Sequence, residues 1–190
     1  MLQKWKLLKS EWALHEKWYK VRKDTVEIRP GKIVDDYFMA ISSDVAIVVA
    51  VTDDNMVPLV RQYKHGAGEI LIELPAGYID EEEEPLEAAK RELREETGYT
   101  ATDWEKLTSV IRHPSKIRGD TIHIYLAKNA QKTAEQELDE TEDIEVTLKP
   151  FAEAVRMAKI GELKGVDTVL GLLFAEEKLN KRRIRENLNF

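Results

Sequence analysis

The 190-residue chain has no cysteine. Disulfides and thiolate metal sites are therefore excluded, which agrees with a reducing cytoplasm. It also has no long hydrophobic run. The longest, Val45–Val51, falls far short of the roughly 20 residues a helix needs to cross a bilayer. The first twelve residues, MLQKWKLLKSEW, carry charges throughout, where a signal peptide would need an apolar core. Positive charge is in deficit, since the net charge of −7 opposes broad binding to a nucleic-acid backbone. The one basic cluster, Lys181–Arg185, is short and reads as the solvated end of a helix. Repeats and low-complexity tracts are missing too. What remains is a cytoplasmic protein of one domain, with or without an added arm, large enough to bury a substantial core.

Apolar periodicity then places the elements. A strand is expected from about Trp18 to Ile28, with a turn at Pro30-Gly31. DYFMAIS and VAIVVAV read as further strands, the second apolar on both faces and so central. MVPLVRQY and EILIELPAG follow as strands, and others are expected near 104–111, 121–127 and 144–148. The first clear helix spans about Pro85 to Thr97, with proline in its first turn and Gly98 as its C-terminal cap. Two more helices are expected at about 151–160 and 167–179. Mixed strands and helices of this kind predict an α/β fold with helices packed on the faces of a mixed sheet.

The Pro85–Thr97 helix carries the strongest chemical signal. Leu86, Ala89, Leu93 and Thr97 form one core-facing stripe, and at 100° per residue Glu92, Glu95 and Glu96 lie well off it and cluster together. Like charges three and four apart on a helix repel by roughly 0.2–0.5 kcal/mol per pair. Such a cluster is either a solvated face or a seat for something strongly positive. Carboxylates are hard oxygen ligands suited to Mg2+ or Mn2+. Cations held this way can bind a diphosphate, stabilise charge on its oxygens and lower the pKa of a bound water.

The surrounding segment decides between the two readings. GYIDEEEEPLEAAKRELREETGY, Gly77 to Tyr99, fits Gly-x5-Glu-x7-Arg-Glu-U-x-Glu-Glu-x-Gly-U, where U is apolar or aromatic. The matching residues are Gly77, Glu83, Arg91, Glu92, Leu93, Glu95, Glu96, Gly98 and Tyr99, and the chance of such a match is on the order of 10⁻¹⁰ per starting position. This segment resembles the box of the Nudix hydrolases. The resemblance extends from about Trp18 to Leu173. It implies metal-dependent hydrolysis of a nucleoside diphosphate linked to a second group, in an α/β/α sandwich. By position it makes Glu92, Glu96 and the Ala76 carbonyl the metal ligands, with Glu95 joining them or sharing in catalysis. Arg91 and Glu83 are expected to tie loop to helix, and Gly77 and Gly98 to be structural.

Segments outside the box bear on the substrate. Pro114, fifteen residues past Tyr99, together with LVRQYKHG and DTIHIYLA, is similar to the ADP-ribose pyrophosphatase branch. SKIRGD departs from the glycine and acidic residue that many members carry after that proline. The acidic tract Glu137–Val146 would carry the glutamate that activates water. Glu140 is the expected base and Glu142 an extra metal ligand. Trp18, then Tyr37, match the aromatics that stack on the nucleobase, and stacking is worth roughly 1–3 kcal/mol without specifying the base. Arg61 and Lys64 are candidate phosphate contacts. His15, His65, His113 and His123 show no metal-ligand spacing and are taken as structural.

These readings combine into one expectation. Residues 1–40 form a β-rich dimerisation arm, 41–180 the Nudix hydrolase domain and 181–190 a basic tail. The protein is a homodimer that uses Mg2+, or Mn2+, to split a nucleoside diphosphate sugar such as ADP-ribose into a nucleoside monophosphate and a sugar phosphate. Neither nucleic acid nor membrane is an expected partner. GDP-mannose, ADP-glucose or a dinucleotide as substrate, and a non-catalytic nucleotide-binding regulator, remain the alternatives.

Overall fold

A computed structural model describes residues 2–188, with side chains described through Lys181. The basic cluster beyond Lys181 and the last residues of the expected tail lie outside the described side chains. The chain divides into two compact units. One holds the residues through Asp44 together with Ile111–Thr121, and the other holds Val45–Val110 with the chain from Ile122 onward.

In the first unit β1 (Lys6–His15), β2 (Lys20–Arg29) and β3 (Lys32–Ile41) form an antiparallel meander. The β2–β3 turn falls at Pro30-Gly31, where Gly31 takes a left-handed φ of 77° that favours glycine. β1 was not legible as a strand. Its apolar residues Leu7, Leu8, Trp12, Ala13 and Leu14 fall on both parities, and all ten of its positions are exposed, so no period-2 core face exists to read. β2 begins at Lys20, which leaves Trp18 in the connection before it.

The second unit holds β4 (Val45–Thr52), β5 (Met56–Lys64), β6 (Glu69–Glu73), β7 (Ala76–Tyr78), α1 (Pro85–Thr97), β8 (Tyr99–Thr100) and most of β9 (Asp103–Ile111). After the short β10 (Ile117–Arg118), which pairs in parallel with β3 in the first unit, come β11 (Thr121–Lys132), β12 (Glu145–Pro150), α2 (Phe151–Lys159) and α3 (Val166–Leu188). β4 runs parallel to β11 and antiparallel to β7, so the sheet is mixed. A second sheet has the order β12-β5-β6.

β4 is the central strand because both of its faces are covered. Ile47, Val49 and Val51 pack with Val155 and Ala158 of α2 and Leu172 and Ala175 of α3. Ala46, Val48 and Ala50 pack with Ala88, Ala89 and Leu93 of α1. Alternate residues of one strand thus bind helices on opposite sides, giving helix–sheet–helix layers. α3 runs on to Leu188, past the expected end near Leu179. The extension KLNKRRIRENL lacks apolar spacing but contains no proline or glycine to stop a helix.

Candidate active site

α1 enters through Pro85 and ends at Gly98, whose φ of 73° lets its N–H reach back to the Arg94 carbonyl at 2.8 Å. One expectation about its faces is corrected. The helical spacing sets Glu92 and Glu96 well off the core-facing stripe, yet they are 8% and 3% exposed and lie beside Leu93 in the buried set. The stripe drawn from apolar residues alone was too narrow, because β7 covers the neighbouring flank of the helix. A Cβ added to Gly77 would overlap the Glu92 carboxylate, so the missing side chain there is what admits it.

The electrostatics follow from this burial. Glu96 accepts the Ala76 N–H at 2.9 Å. Desolvation nevertheless pushes its carboxyl up to about 8, with Glu92 and Glu142 adding repulsion and Lys64 opposing it. Burial also raises Glu92, against the pull of Arg91. The Arg91 guanidinium spans the group. It donates to Glu83 at 3.0 Å, to Glu92 at 2.6 Å, to Glu95 at 3.2 Å and to the Tyr78 carbonyl at 3.0 Å. Its own pKa is raised, chiefly by Glu83, and Glu83 is in turn held below the usual carboxylate range by Arg91. Glu95 is shared between Arg91 and Arg94.

The donor set fits a hard divalent cation. It offers hard oxygen atoms, and burial raises both carboxyls of the pair in spite of Arg91 beside Glu92. Among the described residues, no three His, Cys, Asp or Glu side chains already converge as a metal cage. Arg91 occupies Glu92 instead.

The other candidate residues are placed as follows. Lys64 pairs with Glu73 at 3.4 Å, and its charge reaches Glu96. Arg61 is engaged across the strands with Glu145 at 2.5 Å. Glu140 and Glu142 lie in an exposed turn, and the Glu142 charge adds repulsion at Glu92 and Glu96. In the first unit Trp18 is 84% exposed, with the Lys17 ammonium 4.2 Å from its ring centroid. Tyr37 is more fully engaged. Its hydroxyl donates to the Ser115 carbonyl, Trp5 meets its ring edge-on at 5.5 Å, and Lys116 sits over it at 4.5 Å. Pro114 lies in an exposed turn of the segment that Asp120 secures by accepting from Arg112 at 2.8 Å and pairing with His113 at 2.7 Å. Two contributors escaped the sequence reading. The Tyr78 carbonyl cannot be told from any other backbone oxygen, and Gln136 stands inside an acidic run with no spacing to mark it.

Comparison with known proteins agrees with this architecture. The NUDIX domain model matches residues 42–166. The ADP-ribose pyrophosphatase of Mycobacterium tuberculosis is 34% identical over 157 residues, covering 82% of this chain and 75% of that protein. The GDP-mannose pyrophosphatase of Escherichia coli K12 is 32% identical over 164 residues, covering 82% of each. A crystal structure described as an ADP compounds hydrolase shares the fold, with a TM-score of 0.84 at 24% identity over 96% of this chain and 97% of that one. Members of the matched family generally depend on a divalent metal, and no helix among the described residues is long and apolar enough to cross a membrane. With the box intact, its helix packed against β4 and the domain model covering most of its length, the chain belongs to the Nudix hydrolase family.

Proposed function

We propose that this Nudix hydrolase cleaves the diphosphate of ADP-ribose or a similar nucleoside diphosphate sugar, releasing a nucleoside monophosphate and a sugar phosphate. The observation that carries the chemistry is the Glu92–Glu96 pair, two carboxylates buried together on a helix that stacks under Gly77 and Ala76. Mg2+, with Mn2+ as substitute, is the proposed cation, held by Glu92 and Glu96 with the Ala76 carbonyl and Glu95. Once bound it would neutralise charge on the diphosphate and acidify a water.

The remaining steps belong to the chain's own groups. Arg91 and Glu83 hold the loop before α1 against the helix. Lys64 and Arg61 supply cationic contacts for phosphate oxygens. A carboxylate of the 137–143 turn takes the proton from the attacking water as the new P–O bond forms. The bridging oxygen leaves with the other phosphate. Glu140 is the proposed base of that turn, and Glu142, whose charge reaches Glu92 and Glu96, is an extra metal ligand. Trp18, 84% exposed, is the first candidate plate for a nucleobase and Tyr37 the second, with Pro114 shaping the substrate loop.

Residues 1–40 are proposed as a dimerisation arm. Exposed Trp5, Leu7, Trp12 and Leu14 on or beside an edge strand support this, because apolar area of that kind marks an association surface. Light scattering that returns a monomer would remove it. The ADP-ribose preference is supported by the mycobacterial relative. The coverage and identity of the E. coli relative make GDP-mannose the second reading. Incubation with Mg2+ and ADP-ribose, ADP-glucose, GDP-mannose or dinucleotides, read by phosphatase-coupled phosphate release, ranks them. Glu96→Gln is the control, and unchanged turnover in it would remove the metal assignment.

A further inference from the structure

The last carbonyls of a helix have no partner within the helix, and something else must satisfy them. At the end of α1 that partner is the segment 133–137. The Thr133 and Ala134 N–H groups donate to the Gly98 carbonyl at 2.9 and 3.1 Å, and the Glu137 N–H donates to the Glu95 carbonyl at 2.9 Å. The Glu96 carbonyl is met by a side chain, the Gln136 amide, at 2.7 Å. Close approach is possible because residue 98 is glycine, where a Cβ would strike the Ala134 carbonyl.

Gln136 does a second thing with the same nitrogen. Its other proton goes to the carbonyl of buried Ile144 at 3.1 Å, so both donors of one NH2 group are used. The stretch 137–143 between these anchors has no helix or strand. Its internal support is one turn, in which the Glu142 N–H donates to the Asp139 carbonyl at 2.9 Å and the Glu142 carboxylate accepts the Asp139 N–H at 3.0 Å. The turn holds itself, and Gln136 sets where it stands relative to Glu96.

We propose that Gln136 is a positioning residue for catalysis: a two-pronged clasp that closes the 137–143 loop at its base and ties it to the backbone of Glu96, so that the loop carboxylate and the metal-binding carboxylates keep one fixed geometry. The inference rests on the metal–diphosphate reading. A clasp of this kind affects the step in which the loop carboxylate moves a proton, and it leaves binding by the α1 carboxylates largely intact.

Gln136→Met keeps the length of the side chain and removes both donors. A general base contributes about 10²–10⁴-fold, so loosening it is expected to lower kcat by ~10–100-fold, while KM and the half-saturating Mg2+ concentration stay within about threefold. Amides of 137–143 should exchange faster, with the midpoint of unfolding nearly unchanged. Combined with whichever of Glu140→Gln and Glu142→Gln is the more damaging, Gln136→Met should add less than about threefold, because both changes disable one unit. Gln136→Lys, which restores donors, should recover loop protection and part of kcat together. Unchanged kcat in Gln136→Met, a loss confined to KM, or full additivity with the glutamate variant would overturn the proposal. If Gln136→Met does not fold, Gln136→Lys decides: protection regained without kcat also overturns it. A wild type without turnover on the whole substrate panel would instead sink the functional reading, while exchange in 137–143 would still report the clasp.

Discussion

Two stretches of this chain are crowded with acids, and they behave in opposite ways. On α1, Glu92 and Glu96 are buried, and desolvation lifts both above the usual carboxylate range. In the run from Glu137 to Asp143 every acidic side chain is exposed. Charge density along the sequence is similar, and Arg91 and Arg94 stand beside the first cluster, yet only the first cluster has lost its water. The difference lies in what covers each one. β7 and β4 close over α1, whereas the loop meets water and is held by backbone bonds and one amide. An acidic cluster becomes a cation site when the fold removes its solvent, because a buried carboxylate then needs either a proton or a metal.

The largest expected effect tests that need directly. In the metal-free protein the Glu96 carboxyl has its folded pKa at about 8, above its ordinary 4.5, so the folded state holds a proton that the unfolded state releases. Stability from this group is full below pH 4.5, declines as pH rises and is gone above about 8, a loss of at most ~5 kcal/mol. Thermal unfolding in chelator should therefore show Glu96→Gln more stable than wild type at pH 8.5 and about equal at pH 4. Added Mg2+ should raise the wild-type midpoint at pH 8.5 and that of the variant less. A wild-type curve flat between pH 5 and 8 would break the contrast between the clusters.

Next comes activity. Glu96→Gln is expected to lower kcat/KM on the order of 10³-fold, ~4 kcal/mol, measured by coupled phosphate release. Gly77→Ala sharpens the comparison from the other side. The added methyl meets the far end of the Glu92 side chain, which can swing away, so stability should change little. The displaced carboxylate should cost ~10²-fold in turnover. Gly98→Ala should be a folding defect of ~1–2 kcal/mol in denaturant titration, since its left-handed φ penalises a side chain and Ala134 blocks the space. The smallest effect belongs to the exposed cluster. Glu137→Gln breaks a surface pair with Arg94 at 2.8 Å and should shift stability by less than ~0.5 kcal/mol.

Much of the second unit was legible from pattern. VAIVVAV announces a strand buried on both faces, and Pro85 and Gly98 bracket α1 at its observed ends. β1 was not legible, because a strand exposed along its whole length has no face for periodicity to report. The wheel drawn for α1 found its apolar stripe but placed Glu92 and Glu96 outside the core. Hydropathy assigns a carboxylate to water, and only a neighbouring strand can take the water away.

The order of residues alone determined that three glutamates share one helix flank, that glycine precedes and follows them, and that the chain carries the Nudix pattern, since spacing along a helix converts directly into angle. Tertiary structure alone decided which of those acids lose their solvent and which carbonyls the loop amide joins. Those outcomes depend on segments tens of residues apart meeting at hydrogen-bond distance, and burial and field strength are properties of that meeting.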